Sequence, residues 1–448
     1  MIKTARWLTL VLTLGLLVCL LGVAETRSIR PMMAAKAGLP AQGLNRASAS
    51  GSPVGDNFVI SGAPEQEVHP AVAYNSDREE YLAVWYNDRA ECDDIIRAQR
   101  VSKNGTLVDG AFDVSAGCSD DRSYPDVAYN GQHGEYLVVW EHHDGLWYNI
   151  RARRVSGTGQ VLDTTDIDFV SGSNIVTPTN PAVSYAYTSD RYLVVWEESF
   201  PITTSIVGQV VSSSGSLDGN TFIIFEDPSG SPQREPDLAY NRSRDEYLVV
   251  WQQQDQHELD WDIYARLVAG DGTRLQPASI EIDRYRNDEF TPSIAAIPTQ
   301  PDQGQYLVVW ELRYVSGETT DGDIWGQQVA GDGTTGSSFK ISDAPEDQTI
   351  PAVAGNESAQ QYLVVWTHSS DSSTDIHARA VSMNGDLVGQ ESAFVGGRSY
   401  PDHAAVASGW GNDFMVAFDD SPFTPNSNIY GRLWREAVYL PLVLRTHP

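Results

Sequence analysis

Carboxylates that return at fixed places are the first residues in this chain whose types could do chemistry. Asp126, Asp237 and Asp402 each follow a proline, where Ala or Ser stands after the corresponding prolines elsewhere. Three carboxylates brought together would offer oxygen ligands to a hard cation such as Ca2+. No Asp-x-Asp-x-Asp-Gly loop accompanies them, and nothing in the pattern fixes their distances, so solvated carboxylates are the simpler account. Calcium is thus the one cofactor the acids suggest, without a firm assignment.

Histidine offers less. His142-His143-Asp144, with Trp147 close behind, is a suggestive pair where metal ligation needs three or four convergent ligands. His257 lies in His-Glu-Leu-Asp, which lacks the second histidine of a zinc helix. The Gly-x-Ser-x-Gly elbow and the phosphate-binding glycine loop are both absent. A glycosidase pair cannot be picked out from 60 acidic side chains, so no catalytic residue is assigned. Cys92 and Cys118 are the only cysteines after Cys19, and in an oxidising compartment such a pair reads as a disulfide.

The elements that must position these residues come from a repeat. A proline followed by an apolar stretch recurs at Pro70, Pro125, Pro181, Pro236, Pro292, Pro351 and Pro401. Tyr-Leu-Val-Val-Trp or a variant follows, ending at Trp85, Trp140, Trp196, Trp251, Trp310 and Trp366, with Phe418 in the last copy. Next comes Asp/Asn-Ile-x-small-Arg/Gln, as in Asp262-Ile263-Tyr264-Ala265-Arg266. Turn residues such as Asn104-Gly105 and Asp271-Gly272 lead into a short run like Phe112-Asp113-Val114-Ser115. Four short β-type runs per ~55 residues, repeated seven times, predict an all-β, seven-bladed β-propeller with four antiparallel strands per blade. A sandwich domain would need about 100 residues per unit. Phe58-Val59-Ile60-Ser61 matches the outermost-strand sequences, and the copy from Pro401 to Trp434 supplies only three strands. The N-terminal outermost strand is therefore expected to complete the last blade. Val438–Leu444 is a competitor for that edge, weakened by Pro441.

The run Tyr-Leu-Val-Val-Trp … Asp-Ile-x-Ala-Arg … Asn/Asp-Gly resembles that of bacterial secreted β-propeller repeat proteins, across nearly all of residues 57 to 435. The resemblance implies the fold; it carries over no catalytic residue, since many such proteins have no assigned activity.

Around the repeats, Lys3 and Arg6 precede an apolar run from Trp7 to Leu21 and the small residues Gly22-Val23-Ala24. This reads as a signal peptide over 1–24, which predicts a secreted or cell-surface protein. Residues 25–55 read as a flexible leader, 56–435 as the propeller and 436–448 as a C-terminal tail. The formal charge of −30 excludes nucleic acid as a partner, and no later stretch is apolar enough to span a membrane. A monomer is expected. The repeated Trp and the small residue of the third run read as core, and the Arg/Gln after it as a bond to backbone or a neighbouring blade.

Loops between the second and third strands are long and varied, and share a face with the connections between blades. They carry His142, His143, Asp144, Trp147, Phe200, Trp261, Tyr314 and Phe423, the candidate ligand-binding residues. The function expected is an extracellular binding or scaffold propeller that recognises a glycan or protein with this face. The alternative is a carbohydrate-active hydrolase or lyase with its site at the channel mouth.

Overall fold

The computed structural model describes residues 51–435, apart from 90–91, 118–119, 172–175, 202, 257–258, 285–286, 299–303, 317–318, 371–372, 396–400 and 421–426. Phe423, the signal-peptide stretch and the tail lie outside the described residues. So does Cys118, and with it the expected disulfide to Cys92.

The strands form seven four-stranded antiparallel sheets. β2–β5 (66–113) make blade one, β6–β9 (121–171) blade two, β10–β13 (177–226) blade three and β14–β17 (233–283) blade four. β18–β21 (288–342), β22–β25 (347–395) and β26–β28 (401–435) follow. β1 (Ser52–Ser61) pairs with β28 as the fourth strand of blade seven, with Phe58 opposite Gly431 and Ser61 opposite Ile429. It begins at Ser52, so its first residues come from the stretch read as leader. Each blade's first strand packs against the first strand of the next, and β26 packs against β2, closing a seven-bladed β-propeller. No helix among the described residues is long and apolar enough to cross a membrane.

The second strand of each blade is apolar on both sides because both sides are buried. Residues 136–140 and 247–251, like their counterparts, are sealed between neighbouring blades. All six repeat tryptophans and Phe418 are fully buried. The small third-strand residue makes room for something other than the tryptophan. Ala98 faces Phe112, Gly208 faces Phe222, Gly326 faces Phe339 and Gly431 faces Phe58, each on the fourth strand. A Cβ on Gly431 would lie 2.6 Å from the Phe58 ring. In the turns that follow the third strands a glycine takes up the left-handed backbone, as at Gly105 (φ 80°) and Gly272 (φ 88°).

The arginines after the small residue tie blade to blade. Arg153 donates to Val114 O at 3.2 Å, Arg266 to Ile224 O at 2.8 Å and Arg379 to Ile341 O at 2.8 Å. Arg432 bonds Phe394 O in the same way. Each carbonyl belongs to the end of the preceding blade. The shorter Gln99 and Gln209 reach only carbonyls of their own blade.

Register corrects one landmark. Ala405 pairs with Ala417 just as Asp126 pairs with Val139 and Asp237 with Val250. Ala404, not Pro401, therefore stands at the repeat-proline position of blade seven. Asp402 pairs with Asp419 and matches Val68, which pairs with Tyr86. Asp402 consequently does not belong to the set of Asp126 and Asp237; the last blade lacks the proline that served as its marker.

Candidate functional site

The site begins with a defect built into every first strand. Pairing slips between Val68 and Ala71, Ser123 and Asp126, Thr179 and Ala182, Arg234 and Asp237, and at the same place in the other three blades. A bulge of this kind turns a side chain out of the ladder. The residue in the slip has positive φ each time: His69 52°, Tyr124 47°, Asn180 52°, Glu235 52°, Thr291 49°, Ile350 52° and His403 43°. Non-glycine residues seldom adopt this backbone, and β-branched ones such as Thr291 and Ile350 still less.

The residue after the tryptophan in the preceding blade holds the strained backbone. Glu141 accepts the Asn180 N–H at 2.6 Å, Glu197 that of Glu235 at 3.3 Å, and Gln252 that of Thr291 at 2.8 Å. These three acceptors are buried. They satisfy main-chain donors that the bulge removes from the sheet.

All seven bulge residues converge on the axis, where with the prolines they line a cavity of about 310 Å³. It opens on the face that carries the long loops, because the first strands start there and the second strands end there. Around the ring, His403, His69 and Tyr124 are consecutive, with ring centroids 3.9 Å and 4.5 Å apart. Tyr86 stacks on His69 at 5.5 Å. Asn180, Glu235 and Thr291 form a polar arc, and Ile350 separates it from His403.

The electrostatics of the two arcs differ. Burial, then the carboxylates of Glu197 and Glu311, push Glu235 up to about 7. Burial and the neighbouring His403 hold His69 down to about 3, so its ring is neutral. Burial opposes the charge on His403, but Asp419, 3.3 Å from Nδ1, outweighs it and raises the imidazole. Asp419 itself is pushed up to about 6 by burial. Such a pocket offers aromatic faces on one side, a carboxyl that changes charge near neutrality on the other, and an amide between them.

Of the residues singled out in the sequence, Asp237 lines this cavity and the loop residues lie elsewhere. His142 is buried in blade two, its Nε2 3.0 Å from Asp120 and 2.9 Å from the Arg151 guanidinium, and burial lowers its pKa. His143 stacks on Tyr148 at 4.4 Å. Asp144 accepts the N–H groups of Leu146 (2.9 Å) and Trp147 (2.7 Å), which shapes the loop and leaves Trp147 half-buried on it. Phe200 is exposed at its hairpin end. Trp261 packs near Phe290 and under Arg234 at 5.6 Å, and Tyr314 lies beside Lys340 at 5.7 Å. None of these lines the axial cavity.

Asp126 and Asp237 do stand on the inner strands, but as staples. Asp126 accepts Val127 N–H at 2.8 Å and Val183 N–H of the next blade at 2.7 Å. Asp237 accepts Leu238 N–H at 2.7 Å and Ile294 N–H of the next blade at 3.0 Å. With both carboxylates so engaged and Asp402 out of register, the trio does not fit a calcium ligand set. Among the described residues no three His, Cys, Asp or Glu side chains converge as metal ligands. The residue after each proline is only Ala, Asp or Ser and does not mark the ring. The signal was the residue before it, which changes from His to Tyr, Asn, Glu, Thr and Ile while its neighbours repeat.

No protein-family model and no curated protein matches the chain. Among solved structures, a protein of unknown function from Dyadobacter fermentans DSM 18053 is similar with TM-score 0.50 and 11% identity, over 86% of this chain and 99% of that one. The β-propeller domain of the Trilobed protease from Pyrococcus furiosus gives 0.48 and 9%, over 86% and 100%. An α-L-arabinofuranosidase of Fusarium graminearum in complex with arabinobiose gives 0.45 and 12%, over 87% and 98%. At such identities the likeness to the Dyadobacter protein is one of fold.

Proposed function

We propose that this chain is an exported binding propeller, acting outside the cell as a monomer, and that it recognises a glycan in the axial pocket of its long-loop face. One observation carries the reading. Seven equivalent backbone bulges present seven side chains of six different types to one cavity, while the blades behind them stay uniform. A strained, diversified ring on a repetitive scaffold is where function concentrates. Aromatic faces opposite an amide and a carboxyl suit the apolar face and hydroxyl rim of a sugar, and the volume is at the small end of ligand pockets. The test is a glycan array followed by thermal melting. A bound glycan should raise the melting temperature of the wild type and not of Tyr124→Ala. An array without binders would overturn the reading.

Hydrolysis is the second reading, favoured by a Glu235 carboxyl poised near 7 in the same pocket as the His403–Asp419 pair. It predicts new reducing ends from a bound oligosaccharide, lost in Glu235→Gln.

A further inference from the structure

Glu235 sits in the ring with no ion-pair contact to its carboxylate among the described residues. The one opposing charge that acts on it is its neighbour Arg234, whose guanidinium lies over the Trp261 ring at 5.6 Å, and the carboxyl also accepts the Thr291 N–H. Behind it lie the acids Glu197 and Glu311, which add to the negative potential. The positive charge that His403 can carry is bound to Asp419, and His69 is neutral. In a closed ring of seven, blade four faces the junction of blades seven and one. Glu235 therefore looks across the axis toward the His403–His69 stack, with Tyr124 on the same aromatic wall. The Tyr124 phenol and Glu235 are near enough for the carboxylate to raise the phenol's pKa, after burial and Glu141. A half-buried carboxylate with acids behind it and an aromatic wall before it is a receptor for a cation with an apolar face.

Resting on the glycan reading above, we propose that the terminal sugar in this pocket carries a free amine, its ammonium paired with Glu235 and its ring face against Tyr124. A neutral sugar would meet the same carboxyl only as a hydrogen-bonding group. The ammonium supplies a positive charge in direct contact, which Arg234 on the Trp261 ring does not, so Glu235 releases its proton to solvent on binding. Cationic peptides are disfavoured by the shape, since the seven inner strands surround the cavity and leave no groove along which a chain could lie.

The experiment is calorimetric titration of the full chain with a glucosamine tetramer and, separately, with its N-acetylated counterpart. The wild type should prefer the free amine by about tenfold or more, the scale of a partly desolvated ion pair. In Glu235→Gln the two affinities should come within about twofold of each other, while Tyr124→Ala weakens both. As a control on the wild type alone, added salt should weaken binding of the amine form and leave the acetylated form unchanged. Equal or tighter binding of the acetylated sugar, with no effect of salt, would overturn the amine assignment and leave glycan binding standing. Failure of both tetramers and of every glycan on an array would overturn the glycan reading and this one together.

Discussion

Asp126 shows how a side chain that could have bound a cation instead joins two blades. Its carboxyl bonds Val127 and Val183, and burial first, with Asp237 nearby, pushes it up to about 7. A carboxyl raised in the folded state contributes most below its unfolded pKa, and its contribution falls as pH rises through the folded value. Asp126→Ala, which installs the residue that other blades carry there, should therefore cost most near pH 4–5. The deficit should shrink by roughly 1–3 kcal/mol by pH 8 in urea unfolding. A deficit independent of pH would mean that Asp126 is already ionised in the folded protein. Trp251 makes a second case at this scale. It is fully buried and packs at 5.1 Å against Phe225, yet blade seven closes with Phe418 at its position. Trp251→Ala should cost about 3–5 kcal/mol, and Trp251→Phe clearly less, in the same measurement.

The inner strand is a local conflict settled by its surroundings. A proline disfavours helical backbone in the residue before it, and positive φ is unfavourable for any L-residue with a side chain. The slip persists because buried Glu141, Glu197 and Gln252 accept the displaced N–H groups. Strain of this type costs on the order of 1–3 kcal/mol per residue. Thr291→Gly should thus leave stability unchanged or raise it by about 0.5–1 kcal/mol, a reversal of the usual glycine penalty. Thr179→Gly, one residue ahead of the bulge at Asn180, should cost about 1 kcal/mol instead. Equal losses at the two sites would show that the ring is unstrained.

For the whole molecule, blade seven has the most to lose. It joins residues more than 350 positions apart, through β1 and β28, and Phe58 fills the space that Gly431 leaves open. Gly431→Val should push against Phe58 and Ile60, lowering stability by about 2–4 kcal/mol. Removing residues through Ser61 should expose the edge of β28 and the Phe58 site, with association visible by light scattering. A monomer with unchanged melting would mean that another segment covers that edge.

How far the sequence reaches follows from these cases. Period, turn chemistry and the doubly apolar Tyr-Leu-Val-Val-Trp run specify a seven-bladed propeller, because buried strands and tight turns admit few residue types. The Arg/Gln position was legible for the same reason: a long polar side chain repeated in the core must find a carbonyl. The register of blade seven was not legible, since Ala404 replaces the proline that marks the others and only the pairing of Ala405 with Ala417 reveals it. Nor was the pocket. His69, Tyr124, Asn180, Glu235, Thr291, Ile350 and His403 lie some 55 residues apart and share no chemistry. They become one site only when the ring closes and seven bulges turn them to a common axis. Local patterning determined the blades; closure alone decided which side chains meet.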